Sequence, residues 1–226
     1  FFGINPATAV GTDLLYAAIT KAGGVLVHHK QRNIDWKLTG WLALGSLPAA
    51  VLTLWVLHTW SPDVHTLNAI IKRSLGFALM LTALAIIFKQ QLLNFAHKAA
   101  PGWINMPHRA RISATVVTGV ILGVLVTLTS IGAGALGTVA LFMLYPLMKT
   151  TRLVGTEIAH AVPLTLIAGL GHAGLGNMDW HLLGNLLLGS LPGIYVGSRL
   201  SGGVPDKYLR PFLAVMLGIV GTKLVM

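Results

Sequence analysis

Apolar runs of about twenty residues, separated by short polar turns, recur along the whole chain. A helix needs ~20 mostly apolar residues to cross ~30 Å of hydrocarbon. Eight stretches have that character, approximately 8–27, 38–58, 69–88, 112–130, 134–148, 153–173, 181–200 and 208–225. The fifth is short and opens on the glycine-rich run Gly132-Ala133-Gly134-Ala135-Leu136-Gly137, which predicts a re-entrant hairpin arm or a short span. Composition turns this pattern into a class. Of the 226 residues, 54% are hydrophobic and only 10% are charged, against ~25% charged in a soluble domain. So few charges cannot clothe a soluble surface, and the solvent that fits is lipid. The expected fold is an all-α, polytopic membrane helix bundle.

Charge sets the orientation. Sixteen Lys and Arg against six Asp and Glu would suggest nucleic-acid binding in a soluble protein. Here the basic residues gather in alternate loops. Lys30, Arg32 and Lys37 follow the first stretch, and Lys89, Lys98, Arg109 and Arg111 the third. Lys149 and Arg152 follow the fifth, and Arg199, Lys207 and Arg210 the seventh. The intervening loops, such as Ser61-Pro62-Asp63 and Gly174-Leu175-Gly176-Asn177, carry almost none. Positive loops stay cytoplasmic, so the partner of this charge is the bilayer and its headgroups, not nucleic acid. Lys72 and Arg73 do not fit that pattern. The linker 89–111 reads as a short basic interfacial helix broken at Pro101-Gly102 and resting on anionic lipid. With no cysteine, disulfides, thiolate nucleophiles and Cys-ligated metals are excluded. The chain opens on Phe1-Phe2-Gly3 without a cleavable leader pattern, which is compatible with a start part-way into a longer protein.

A duplication at an offset of 144 residues is the most informative feature. Val10-Gly11-Thr12-Asp13 returns as Val154-Gly155-Thr156-Glu157, and His28 as His172. Asn33-Ile34-Asp35-Trp36 returns as Asn177-Met178-Asp179-Trp180, and Gly45-Ser46-Leu47-Pro48 as Gly189-Ser190-Leu191-Pro192. Over 10–48 against 154–192, 17 of 39 positions are identical without a gap. Five steps separate the first and sixth stretches, so equivalent helices are expected to run in opposite directions. That is an inverted-topology repeat with broken helices, the architecture of secondary transporters. It divides the chain into a first repeat (1–88), a cytoplasmic basic linker (89–111) and a second repeat (112–226). A five-stretch unit also predicts two further segments ahead of Phe1.

Candidate chemistry follows from polar residues inside apolar stretches. Asp13 and Glu157 hold equivalent repeat positions, and an intramembrane acid is by default functional; the alternative is structural pairing near a helix end. Glu157 and His160 share a helical face, which predicts a hydrogen-bonded pair and, with Asp13, a proton-coupling set. The spacing also occurs in di-iron bundles. Too few further acids are present for such a site, so no metal and no cofactor is expected. Lys21 is the cation well inside a stretch and can attract an anion or pair with Asp13. Hydroxyls at Thr12, Ser46, Thr156 and Ser190, with amides at Gly132 and Gly134, complete the expected substrate contacts. Pro48 and Pro192 lie mid-stretch and predict helix breaks along a pathway. Asp35 and Asp179 are expected to cap the helices that follow, with Trp36 and Trp180 anchoring at the interface. His28 and His172 read as interfacial hydrogen-bonders.

The repeated words resemble the sulfite exporter TauE/SafE family of bacterial membrane proteins. The resemblance rests on Ala9-Val10-Gly11-Thr12-Asp13, the basic turn before Asn33-Ile34-Asp35-Trp36, and Gly45-Ser46-Leu47-Pro48, all echoed in the second half. Ile131-Gly132-Ala133-Gly134 is similar to a degenerate form of the family's glycine-rich segment; the matching segment of the first repeat is absent. Membership implies a multi-pass protein of the bacterial inner (plasma) membrane that transports small sulfur-containing anions such as sulfite, sulfonates or thiosulfate. A proton-coupled secondary carrier is the leading reading. An anion channel of the same fold is the alternative, with a membrane-embedded enzyme third. Association into a homo-oligomer is compatible with each.

Overall fold

The computed structural model describes residues 3–60, 63–88, 91–92, 94, 106–201 and 206–225. Eight helices occupy them: α1 Pro6–Lys30, α2 Trp36–Trp60, α3 Val64–Ile87, α4 His108–Thr129, α5 Ala135–Leu144, α6 Thr150–Gly174, α7 Trp180–Ser201 and α8 Asp206–Val225. Each matches one apolar stretch of the sequence. Among the described residues, α1, α2, α3, α4 and α6 are long and apolar enough to cross a membrane. The interfacial helix expected in the linker, with Lys89, Lys98 and Pro101-Gly102, lies outside the described residues apart from 91, 92 and 94. The side chains of Arg199, Lys207 and Arg210 lie outside them too.

Helix starts follow capping chemistry. Asn5 accepts a hydrogen bond from the Ala7 amide at 2.9 Å with Pro6 in the first turn, a position where the missing proline N–H costs nothing. Asp35 and Asp179 cap α2 and α7 as expected, accepting from Leu38 at 3.2 Å and Leu182 at 2.8 Å. The expected helix breaks at Pro48 and Pro192 are corrected: α2 and α7 run through both residues. One missing donor removes one rung of the ladder, and the rungs on either side hold. Both prolines are exposed. Pro48 borders an apolar surface groove of about 590 Å³ with Leu44, Leu52 and Trp60. Pro163 in α6 and Pro211 in α8 also lie inside helices, and Pro163 has no counterpart in the first repeat, where Ile19 stands.

The bundle is built from close helix pairs that join the first 88 residues to the rest: α1 with α6, α2 with α4, and α3 with α8. Small residues set the approach. In α2 and α4, Gly119 lies against Leu42 and Ser46, and Gly123 against Ser46 and Ala49, so these helices run in the same direction. In α3 and α8, Gly76 lies against Gly221 and Val225, and Gly221 against Met80, so these run oppositely. Without a hydrophobic drive inside lipid, such backbone proximity is what holds membrane helices together.

The α1–α6 pair is antiparallel and reciprocal. Gly11 abuts the Asn177 carbonyl beyond the end of α6, while Gly155 abuts the Asn33 carbonyl beyond the end of α1. Beside them, Thr12 Oγ1 accepts from the Asp179 amide at 3.1 Å, and Thr156 Oγ1 accepts from the Asp35 amide at 2.9 Å. Each repeated Gly-Thr thus receives the Asn-x-Asp turn of the other copy. A Cβ at Gly155 would collide with the Asn33 carbonyl oxygen, and buried overpacking of this kind costs ~1–3 kcal/mol. Gly155→Ala is therefore expected to lower the thermal unfolding midpoint of the detergent-purified protein. Gly184→Ala, where a Cβ meets nothing within 4 Å, is expected to be neutral or slightly stabilising, since it removes the helix cost of glycine. Equal midpoints for Gly155→Ala and wild type would contradict the reciprocal packing.

The directions of these pairs match alternating crossings of the bilayer. Gln31 and Gly174 are exposed at the C-terminal ends of α1 and α6. In a chain free of native cysteine, Gln31→Cys is expected to react with an impermeant maleimide only from the cytoplasm, and Gly174→Cys only from outside. Labelling of both from one side would contradict antiparallel crossings.

Candidate functional site

The irregular backbone between α4 and α5 is where polar groups converge. It begins where Ser130 caps α4 in the left-handed region, at φ 57°, and continues through Gly132 (φ 118°) and Gly134 (φ 151°). The latter two values exclude most side chains, which is why glycine stands there. The chain re-enters helix at Ala135, with the Gly137 amide bonded to the Gly132 carbonyl at 3.0 Å and that of Thr138 to Gly134 at 3.0 Å. α5 has 10 residues, about 15 Å of helix. That is half the hydrocarbon thickness, and Gly132, Ala133 and Gly137 around its start are buried. The short span expected over 134–148 is therefore a half-helix that ends at Leu144.

Charged residues of α1 and α6 line this break. Asp13 and Glu157 each hold the eighth position of their helix, and because the helices are antiparallel they lie toward opposite ends of the pair. Gly24 meets Ile158, which places the acids about 18 Å apart along the axis at ~1.5 Å per residue. Ser130 Oγ donates to Asp13 Oδ2 at 2.7 Å. Lys21, two turns further along α1, donates to the Ala133 carbonyl. Glu157 lies against α5 where Gly137 leaves room; a Cβ there would stand 2.9 Å from Glu157 Oε1. The break thus touches an acid, a cation and a second acid in turn.

Burial differs between the two acids. Asp13 is exposed, whereas Glu157 is 1% exposed and its Oε1 has no hydrogen-bond partner among the described residues. The expected hydrogen bond between Glu157 and His160 is not formed. His160 Nε2 stands 2.7 Å from Ser46 Oγ of α2, and its Nδ1 has no partner among the described residues. Both side chains share the inward face of α6, but Glu157 leans toward Gly137 and His160 toward Ser46. A sequence window on one helix cannot show either neighbour. Lys21 is the charge that Asp13, Glu157 and His160 all experience.

Other candidates take structural places. The Thr12 and Thr156 hydroxyls are engaged by the reciprocal turns, and that of Thr156 also donates to the Arg152 carbonyl at 2.7 Å. Ser190 bonds its own helix at the Leu187 carbonyl, at 3.4 Å, and is not joined to the cluster. His172 is corrected from interfacial to fully buried: its Nε2–H donates to the Thr127 carbonyl of α4 at 2.9 Å. The end of α6 is covered by Gly11 of α1, so a position near a helix end is still interior. Gly137 belongs to the glycine-rich run of the sequence, whereas nothing local in the sequence marks Ser130 as a participant.

Comparison with known proteins supplies the context for this geometry. A family model described as sulfite exporter TauE/SafE matches residues 1–224. The chain is 42% identical over 224 residues to the probable membrane transporter protein YjnA of Bacillus subtilis, covering 99% of this chain and 87% of that one. It is 28% identical to the probable membrane transporter protein YdhB of the same organism, covering 99% and 86%. A probable membrane transporter protein of Methanocaldococcus jannaschii is 25% identical, covering 98% and 80%. No solved structure matches.

Proposed function

Because the chain belongs to the sulfite exporter TauE/SafE family, we propose that this multi-pass membrane transporter is a proton-coupled carrier of small sulfur oxyanions, with its site at the α4–α5 break. The observation that carries the reading is the start of α5 inside the bundle with Lys21 fastened beside it. Helix N-termini present unpaired amides and a partial positive charge to anions. One ammonium proton of Lys21 goes to Ala133, and two donors remain. Half-helix ends at a repeat interface are where secondary transporters hold charged substrates, and the antiparallel, reciprocal α1–α6 pair supports an inverted arrangement of the two repeats. Ser46 and His160 extend the polar file toward α2.

Coupling follows from sharing one cation. Without an anion, Lys21 offsets the charge of Glu157. When an anion arrives at the same ammonium, two negative groups compete for it, and the buried Glu157 accommodates by taking a proton. Anion and proton then move together. The test is uptake by proteoliposomes, screened across sulfite, sulfate, thiosulfate and taurine with and without an inward proton gradient. Saturable, gradient-accelerated accumulation of one or more of these anions is expected; absence of uptake for all four would overturn the substrate class.

A further inference from the structure

Away from the break, at the C-terminal end of α5, the turn after α1 and the start of α6 enclose a cleft of about 570 Å³. Arg32, Arg111, Lys149 and Arg152 line it, and among the described residues no acid does. Asp35 lies outside it and holds Arg152 in a 2.9 Å ion pair. α6 starts beside the cleft at Lys149 with no side-chain cap on its first amides, so the local helix dipole adds to the positive field.

Arg32 marks this collection of charge as more than a topological signal. Its backbone is left-handed, at φ 57°, a conformation costly for any residue with a Cβ. Gly176 holds the equivalent place in the second repeat, at φ 76°, and pays no such cost. The same turn is therefore made cheaply in one copy and with strain in the other, and the strained copy puts a guanidinium on the cleft. Positive-inside bias alone can be met at neighbouring positions without strain, since Lys30 already precedes the turn. Guanidinium groups match tetrahedral oxyanions through paired N–H donors.

We propose that this cleft is a second anion site at the cytoplasmic mouth, taking a tetrahedral oxyanion: a soluble sulfate-like or phosphate ion, or the phosphate of a lipid headgroup. It is separate from the break, and its test reads binding alone, so it stands or falls independently of transport. In front of a carrier, such a site raises the local anion concentration at the pathway entrance.

Leu147 is exposed and lines the cleft, and the absence of native cysteine allows Leu147→Cys to carry an environment-sensitive fluorophore. In nanodiscs of neutral phosphatidylcholine, sulfate is expected to produce a saturable signal. Arg32→Gly, which relaxes the backbone, is expected to fold at least as well by thermal unfolding and to weaken sulfate about tenfold, the loss of one charge-assisted contact. In nanodiscs containing phosphatidylglycerol, an unchanged sulfate titration identifies the soluble ion as occupant. A signal already saturated before sulfate is added identifies the headgroup, and Arg32→Gly is then expected to abolish that saturation. No saturable response in either membrane, or identical responses in wild type and Arg32→Gly, would overturn the proposal.

Discussion

Glu157→Gln is expected to leave anion exchange running while abolishing its acceleration by an inward proton gradient, a loss of at least tenfold in gradient-driven accumulation. The substitution keeps the shape of the side chain and its fit beside Gly137 but removes the titrating proton. Glu157 is singled out over Asp13 by its surroundings. It is fully enclosed with a bare carboxylate oxygen, and a charge in that state is tolerated only through a nearby opposite charge or neutralisation. Asp13 is exposed and accepts a hydrogen bond from Ser130, a donor that Glu157 Oε1 lacks among the described residues. Asp13→Asn is accordingly expected to alter the break's geometry and the anion affinity without removing coupling. Gradient-driven accumulation that survives in Glu157→Gln and disappears in Asp13→Asn would reverse the assignment.

Lys21→Met has the larger expected effect on binding. The ammonium both holds Ala133 in the break and faces the start of α5, so its loss removes a cation and frees the turn that leads into α5. A charge-assisted contact is worth roughly 1.5–3 kcal/mol, so anion affinity by isothermal titration is expected to fall about 10- to 100-fold. Lys21→Arg is expected to recover only part of it, because a planar guanidinium cannot reproduce the compact ammonium in that space. Wild-type affinity in Lys21→Met would remove the break from the binding site.

The spans were legible in the sequence because lipid demands a long unbroken apolar run, and α1 to α8 each fall on one. The caps at Asp35 and Asp179 were legible because the Asn-x-Asp-Trp words are local chemistry. Which copy of a repeated word touches which was not. Thr12 and Thr156 read as substrate contacts in the sequence, and in the fold they and the neighbouring Gly11 and Gly155 receive the turn of the opposite copy. Pro48 and Pro192 looked like breaks because proline removes a helical donor, but the discontinuity lies at Ser130 to Gly134, where backbone conformation changes hand. His160 was legible as inward-facing from its spacing with Glu157; its neighbour Ser46 stands 114 positions away in the chain, beyond any local pattern.

Carrier action at the break makes one requirement that a channel of the same fold does not share: the site faces one side at a time. Counterflow in proteoliposomes reads this directly. Vesicles loaded with an unlabelled anion for which uptake has been measured are diluted into trace labelled anion with no proton gradient, and the label inside is followed in time. The account predicts transient accumulation of label above equilibrium, saturating with internal anion and absent in protein-free vesicles. Label that only relaxes to equilibrium, at a rate linear in concentration and indifferent to anion on the far side, would contradict it.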